Sequence, residues 1–252
     1  MAGHSHWANI ARKKSLIDHK RGKMWSKLAK AIMVAAKAGG GDPASNLRLR
    51  YAIIDAKAGN MPKDTIDRAI KKGTGELEGV NFEEVLYEGY GPGGVAVLCD
   101  ILTDNRNRTA GEVRKIFEMA GGKLGATGCV AWMFERKGLL EIPAGQTDED
   151  SLMELALEAG ADDVRHSGDS FEVICDPDAY TTVCDAVDAA GLTTEVRQIT
   201  RIPKDTVDID GNTARSVLKL MDALDDHDDV QKVAANFNIP DAAMAAIESA
   251  TS

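Results

Sequence analysis

Leu139-Leu140-Glu141-Ile142 opens the stretch that decides the fold, and Thr194-Glu195-Val196-Arg197-Gln198-Ile199 closes it. After the opening strand, Asp148 to Ala159 sets Leu152, Leu155, Ala156 and Ala159 on one side of a helix. Asp163-Val164-Arg165-His166 and Ser170-Phe171-Glu172-Val173-Ile174-Cys175 then form a hairpin about Gly168-Asp169. A second helix, Asp178 to Ala190, turns Val183, Ala186 and Val187 inward. The order is βαββαβ, a ferredoxin-like unit complete in itself.

The flanking pieces are incomplete when taken alone. Before the unit lie strands at 83–89 and 94–102, joined by Gly91-Pro92-Gly93-Gly94, then a helix at 107–120 and a strand at 129–135. After it lie a helix at 212–224 and a strand at 229–237. The simplest solution is one α/β domain, residues 78–136 with 208–240, interrupted by the ferredoxin-like domain at 137–207. Residues 241–252 are a tail, with a short helix expected from Asp241 to Ala250.

Residues 1–77 read as a third, helical domain. A helix at 24–38 gathers Trp25, Leu28, Ala29, Ile32, Met33 and Ala36 on one side and Lys23, Lys27, Lys30 and Lys37 on the other, facing solvent. Gly39-Gly40-Gly41 ends it. A second helix is expected with Asp42 as N-cap and an apolar stripe of Leu47, Tyr51, Ile54 and Ala58. A third starts at Asn60-Met61-Pro62, carries Ile66, Ala69 and Ile70, and stops at Lys71-Lys72-Gly73. Together they make a three-helix bundle, so the fold class is α+β with three domains.

Charge divides the chain in the same place. Residues 1–75 hold 16 Lys+Arg against 5 Asp+Glu, a net of +11, while the whole chain carries −10. A basic head on an acidic body attracts a polyanion at one end only. Arg12-Lys13-Lys14, Lys20-Arg21-Lys23 and the stripe of Lys27 and Lys30 are the candidate nucleic-acid contacts. The arm over 8–23 holds too few apolar residues to bury much by itself. Trp7 either stacks on a base or seals the bundle. His4 and His6 suit surface or phosphate contact better than metal binding. In Thr103-Asp104-Asn105-Arg106-Asn107-Arg108-Thr109, Arg106 and Arg108 stand at a helix N-terminus in an acidic surround; they either meet a phosphate or support an N-cap loop.

No motif for other chemistry appears, and an enzyme, whose groups would have to converge in space, is the weakest of the three readings. Cys99, Cys129, Cys175 and Cys184 are scattered and read as buried thiols. Gly121-Gly122-Lys123-Leu124-Gly125-Ala126-Thr127-Gly128 lacks the GxxxxGK[ST] spacing and reads as a connecting turn. Asp225-Asp226-His227-Asp228-Asp229 lacks EF-hand spacing and reads as a solvated turn. No nucleophile elbow, zinc motif or dinucleotide fingerprint appears, so no catalytic residue, cofactor or metal is assigned. No apolar run approaches the roughly 20 residues of a membrane span. A cytoplasmic monomer with no small-molecule substrate is expected.

These residues resemble a known family. Ala2-Gly3-His4-Ser5-His6-Trp7-Ala8-Asn9-Ile10, Gly40-Gly41-Asp42-Pro43, Asn60-Met61-Pro62-Lys63-Asp64, Tyr87-Glu88-Gly89-Tyr90-Gly91-Pro92-Gly93-Gly94 and Leu102-Thr103-Asp104-Asn105-Arg106-Asn107-Arg108-Thr109 are similar to the YebC/PmpR family, which includes the mitochondrial translational activator of cytochrome c oxidase. The resemblance implies the same three domains and a non-enzymatic protein. It also implies a DNA-binding transcriptional regulator or, as in other members, a factor that helps ribosomes through proline runs. His6 departs from the Lys often found there and removes one fixed charge. The residues themselves lean to ribosomal RNA, since the head offers backbone-contacting Lys and Arg without evident base readers. The family descriptions lean to promoter DNA.

Overall fold

The computed structural model describes residues 18–240, with side chains from residue 22 onward; the arm before residue 18 and the helix expected from Asp241 to Ala250 lie outside these residues. Helix α1 runs Asp18–Gly39, earlier than the apolar periodicity alone places it, followed by α2 (Leu47–Ala58) and α3 (Lys63–Thr74). Their core is Ile32, Ala35, Ala36, Leu49, Ala52, Ala56, Met61, Ile66 and Ala69.

Two expectations for the bundle change. Asp42 does not cap α2: its carboxylate accepts the Ala44 N–H at 2.9 Å and closes a local turn. The buried Asn46 is the cap, accepting from Leu49 N at 3.0 Å while its amide donates to the carbonyls of Ala35 and Gly40 at 2.8 Å each. The apolar stripe also rotates. Leu49, Ala52 and Ala56 face the bundle, whereas Leu47 and Ile54 stay exposed. Tyr51 points to the ferredoxin-like unit instead, edge-on to Tyr180 at 5.3 Å and bonded to Thr181 Oγ1 at 2.6 Å. Beside Leu49, two small alanines suffice on the bundle side because the helices approach closely there.

Gly73 shows how closely. It lies inside α3 and not beyond it, and the left-handed cap is Gly75 at φ 84°. A Cβ on Gly73 would stand 2.4 Å from the Met33 carbonyl oxygen and 2.8 Å from Ala36 Cβ. Gly73→Ala is therefore expected to force α1 and α3 apart at a cost of about 1–3 kcal/mol. Urea unfolding checks this as a lowered midpoint with unchanged slope.

The second sheet region begins with β1 (Glu83–Tyr90) and β2 (Ala96–Thr103), then α4 (Arg106–Met119) and β3 (Lys123–Leu124). It resumes after the ferredoxin-like unit with β8 (Val207–Asp208), α7 (Gly211–Asp225), β9 (Val230–Ala235) and β10 (Phe237–Asn238). The sheet order is β3-β1-β2-β9, so chain segments far apart in sequence complete one sheet. Helices α4 and α7 cover one face through Val97, Cys99, Ile101, Val113, Phe117, Leu220 and Met221. The segment 129–134 covers part of the other through Val130 and Phe134 against Ala96 and Leu98. The strand expected at 229–237 is broken, and β10 pairs in parallel with β8.

The intervening unit runs β4 (Phe134–Pro143), α5 (Glu149–Glu158), β5 (Ala161–Ser167), β6 (Ser170–Cys175), α6 (Tyr180–Ala189) and β7 (Val196–Pro203). Its order β5-β6-β4-β7, antiparallel throughout, is the ferredoxin-like arrangement. The strands expected at 129–135 and 139–142 merge from residue 134 onward, because β7 pairs with β4 from Phe134↔Pro203 to Glu141↔Val196. Residues 128–131 cannot join the ladder, since Glu88 takes the N–H groups of Gly128, Val130 and Ala131. The two sheet units are thus joined by a two-stranded ribbon, and Arg201 on β7 pairs with Asp100 on β2 at 3.0 Å.

Candidate nucleic-acid interface

Helix α1 brings Lys23, Lys27 and Lys30 to the body, while Lys37 stays exposed and donates to Asn81 Oδ1 at 2.9 Å. Lys27 and Lys30 side chains are only 15% exposed. They face the end of α7, whose last carbonyls have no helical partner and carry the negative pole of the helix. Lys23 Nζ donates to the Asp226 carbonyl at 3.2 Å and to its carboxylate at 3.0 Å. Lys27 donates to the Asp225 carbonyl. Lys30 donates to the Asp228 carbonyl at 3.0 Å and to Asp229 Oδ1 at 2.6 Å, and stands over the Phe82 ring at 5.3 Å. The acidic run is therefore a receptor for the lysine stripe, which corrects both the solvated turn and the outward stripe.

Asp229 is the hub. Its buried carboxylate also accepts Thr109 Oγ1 at 2.8 Å, Thr103 Oγ1 at 3.2 Å and Arg108 at 2.5 Å. Burial opposes its ionisation, yet the hydrogen bonds from Lys30, Thr109 and Arg108 and the Lys30 charge hold it well below the usual carboxylate range. His227 Nδ1 accepts the Asp229 N–H at 3.1 Å, which leaves Nε2 to donate to Glu112 at 3.0 Å.

Arg108 is engaged within the chain, with Asp104 at 2.9 Å and Glu112 at 3.7 Å besides Asp229. Three carboxylates thus surround one guanidinium beside the loop that Asn105 caps. Arg106 differs: it is 63% exposed, with only Glu83 at 3.7 Å. Lys20 and Arg21 lie in α1 with side chains outside the described residues, as do His4, His6, Trp7, Arg12, Lys13 and Lys14 altogether.

The bundle also carries a second cationic group. Lys57, Lys63, Arg68, Lys71 and Lys72 are exposed on the bundle. None makes an ion pair with another described residue. Their irregular spacing around α3, mixed with Asp64 and Asp67, hides them from a search for runs. Beneath the bundle, Asp55 on α2 faces Lys232 on β9; burial raises the carboxyl and lowers the amine, each opposed by the other's charge. Lys232 also donates to the Ile199 carbonyl at 2.6 Å. Cys99, Cys175 and Cys184 are buried free thiols, whereas Cys129 is partly exposed.

Among the described residues no cluster of His, Cys, Asp and Glu could hold a metal, and no helix is long and apolar enough to cross a membrane. Two sequence profiles match the chain: "TACO1/YebC protein N-terminal domain" over residues 5–76, and "TACO1/YebC second and third domain" over 82–237. The chain belongs to the TACO1/YebC family. A "probable transcriptional regulatory protein" of Desulfatibacillum aliphaticivorans is 58% identical over 97% of this chain and 99% of its own. One so named from Rhodopirellula baltica is 58% identical over 95% and 98%. The crystal structure of a conserved hypothetical protein from Aquifex aeolicus superimposes with a TM-score of 0.80, at 51% identity over 89% of this chain and 93% of that one. The TACO1/YebC family is named for regulation and not for catalysis.

Proposed function

We propose that this TACO1/YebC protein is a cytoplasmic, nucleic-acid-binding regulator of gene expression, acting on DNA as a transcriptional regulator and gripping its target with the basic head. The observation that carries this reading is the charge division: +11 within residues 1–75 of a chain whose net charge is −10. The docked lysines Lys23, Lys27 and Lys30 hold the head to the body. Phosphate contact then falls to the arm residues Arg12, Lys13, Lys14, Lys20 and Arg21, with His4, His6 and Trp7 beside them, and to the exposed cations of α3 and Arg106.

A second reading, contact with ribosomal RNA in support of translation, draws on one feature. Helix α1 lies along the body with its lysines engaged, so it is not free to enter a major groove as a recognition helix. Contact through phosphates without base reading then suits a structured RNA.

The test is a titration of the intact chain against duplex DNA and against a ribosomal RNA fragment across a salt series. Reversing Lys13, Lys14, Lys20 and Arg21 to Glu is expected to abolish binding at physiological salt and leave the unfolding midpoint unchanged. For the wild type, log affinity should fall with log salt by about 0.9 per duplex phosphate contacted or about 0.7 per single-strand phosphate. Unchanged affinity in the variant would refute the basic-head reading.

A further inference from the structure

Trp132 is 68% exposed and Tyr90 is 41% exposed, and both lie on the sheet face opposite α4 and α7. They are held in place. Trp132 Nε1 and Tyr90 Oη each donate to the Cys129 carbonyl at 3.2 Å, so the two rings are anchored on one oxygen. The segment carrying that oxygen is itself fixed from below by Glu88, which is 2% exposed. Its carboxylate accepts from Gly128 N at 2.6 Å, Val130 N at 2.8 Å and Ala131 N at 2.7 Å. Burial opposes its ionisation, but the three N–H groups outweigh that and hold it in the charged form. A nest of backbone N–H groups that elsewhere would bind an anion is here filled by the chain's own carboxylate.

Lys123 completes the group. It is the cross-strand partner of Tyr90 in the β1–β3 pair, so its side chain rises on the same face. It is exposed and makes no ion pair with another described residue. Two rigid aromatic rings beside a free cation combine a π-surface for a base with a contact for its phosphate. Rings fixed by hydrogen bonds lose little freedom on binding, which favours such a surface over a mobile one.

We propose that Tyr90, Trp132 and Lys123 form a stacking site for an unpaired base of single-stranded RNA. This deepens, and rests on, the second reading above, in which the chain contacts RNA. The bases of a duplex are stacked on one another and closed to such a platform, whereas RNA loops and bulges expose theirs. The site lies on the acidic body and is separate from the arm, so RNA held by the head through its phosphates would meet a second point that senses whether bases are unpaired.

Fluorescence anisotropy with the intact chain tests it, using a labelled unstructured oligoribonucleotide and the same strand annealed to its complement. Trp132→Ala is expected to weaken single-strand binding by about 5- to 100-fold and to leave duplex binding unchanged. Trp132→Phe, which keeps a π-face, should retain most of the affinity. The ring's exposure means that truncation should not unfold the chain, and the Phe variant keeps the test decisive if it does. Single-strand affinity unchanged in Trp132→Ala, together with loss on reversing Lys13, Lys14, Lys20 and Arg21, would overturn the stacking site and leave the basic head standing. Equal loss for strand and duplex in Trp132→Ala would also overturn it. A wild-type chain that binds neither RNA nor DNA would remove the nucleic-acid reading and the stacking site together.

Discussion

Asp229→Ala is expected to destabilise the chain by about 3–5 kcal/mol and to release the bundle from the body, because it strands cations that a buried carboxylate had neutralised. Lys30 and Arg108 both reach Asp229, from opposite sides of the junction, and the hydroxyls of Thr103 and Thr109 are left without that acceptor. The outer pairs, Lys23 with Asp226 and Lys27 with Asp225, contribute at most about 1 kcal/mol each, so they cannot substitute. Urea unfolding reads the loss, and limited proteolysis over the exposed stretch 75–80 reads the release. Asp229→Asn adds a pH signature. The folded carboxyl lies below its unfolded value of about 3.9, so its stabilisation is complete above that value and disappears as pH falls through the folded pKa. The stability gap between wild type and Asp229→Asn should therefore be full at neutral pH and shrink steadily below about pH 4. A gap that does not change with pH would assign the effect to shape rather than to charge.

Glu88→Ala is expected to cost about 3 kcal/mol or more. Three N–H groups, those of Gly128, Val130 and Ala131, lose their acceptor; the Val130 bond is buried and the other two are part-buried. An orphaned buried donor costs about 1–3 kcal/mol. Glu88→Gln keeps one carbonyl oxygen and should fall between, which separates lost hydrogen bonds from lost volume. The near-ultraviolet dichroism of Trp132 and Tyr90 should weaken together in both variants, since their shared anchor, the Cys129 carbonyl, lies in that segment. A large loss of stability with unchanged aromatic dichroism would show that Glu88 supports the sheet without fixing the rings.

The ferredoxin-like order was legible in the sequence because its signals are local: Asp148 caps its helix by accepting Ser151 N at 2.9 Å, and Ser167 pairs with Ser170 across a two-residue turn. What stayed hidden is non-local. Nothing in Lys23, Lys27 and Lys30 distinguishes a solvated stripe from one that meets an acidic turn some 200 positions away, as Lys30 and Asp229 do with |i−j| of 199. Each half of that contact has the composition of a solvent-facing segment, although a +11 head and a run of four aspartates around His227 are complementary. Helix α2 misled for another reason. Leu49 and two alanines carry the bundle contact, while the larger Tyr51 serves a different neighbour and Leu47 and Ile54 stay exposed, so size does not mark the buried face. Trp132 and Tyr90 were invisible because their importance rests on exposure and on Glu88, which occupies the N–H groups of the loop.

The most direct test of the basic-head account is crosslinking of the intact chain in growing cells, with bound DNA and RNA both recovered and sequenced. The account predicts a discrete nucleic-acid set that disappears when Lys13, Lys14, Lys20 and Arg21 are reversed to Glu in a protein that stays folded. Promoter fragments in that set would assign transcription, and ribosomal RNA would assign translation. Recovery of neither nucleic acid, or equal recovery by the reversed variant, would contradict the account.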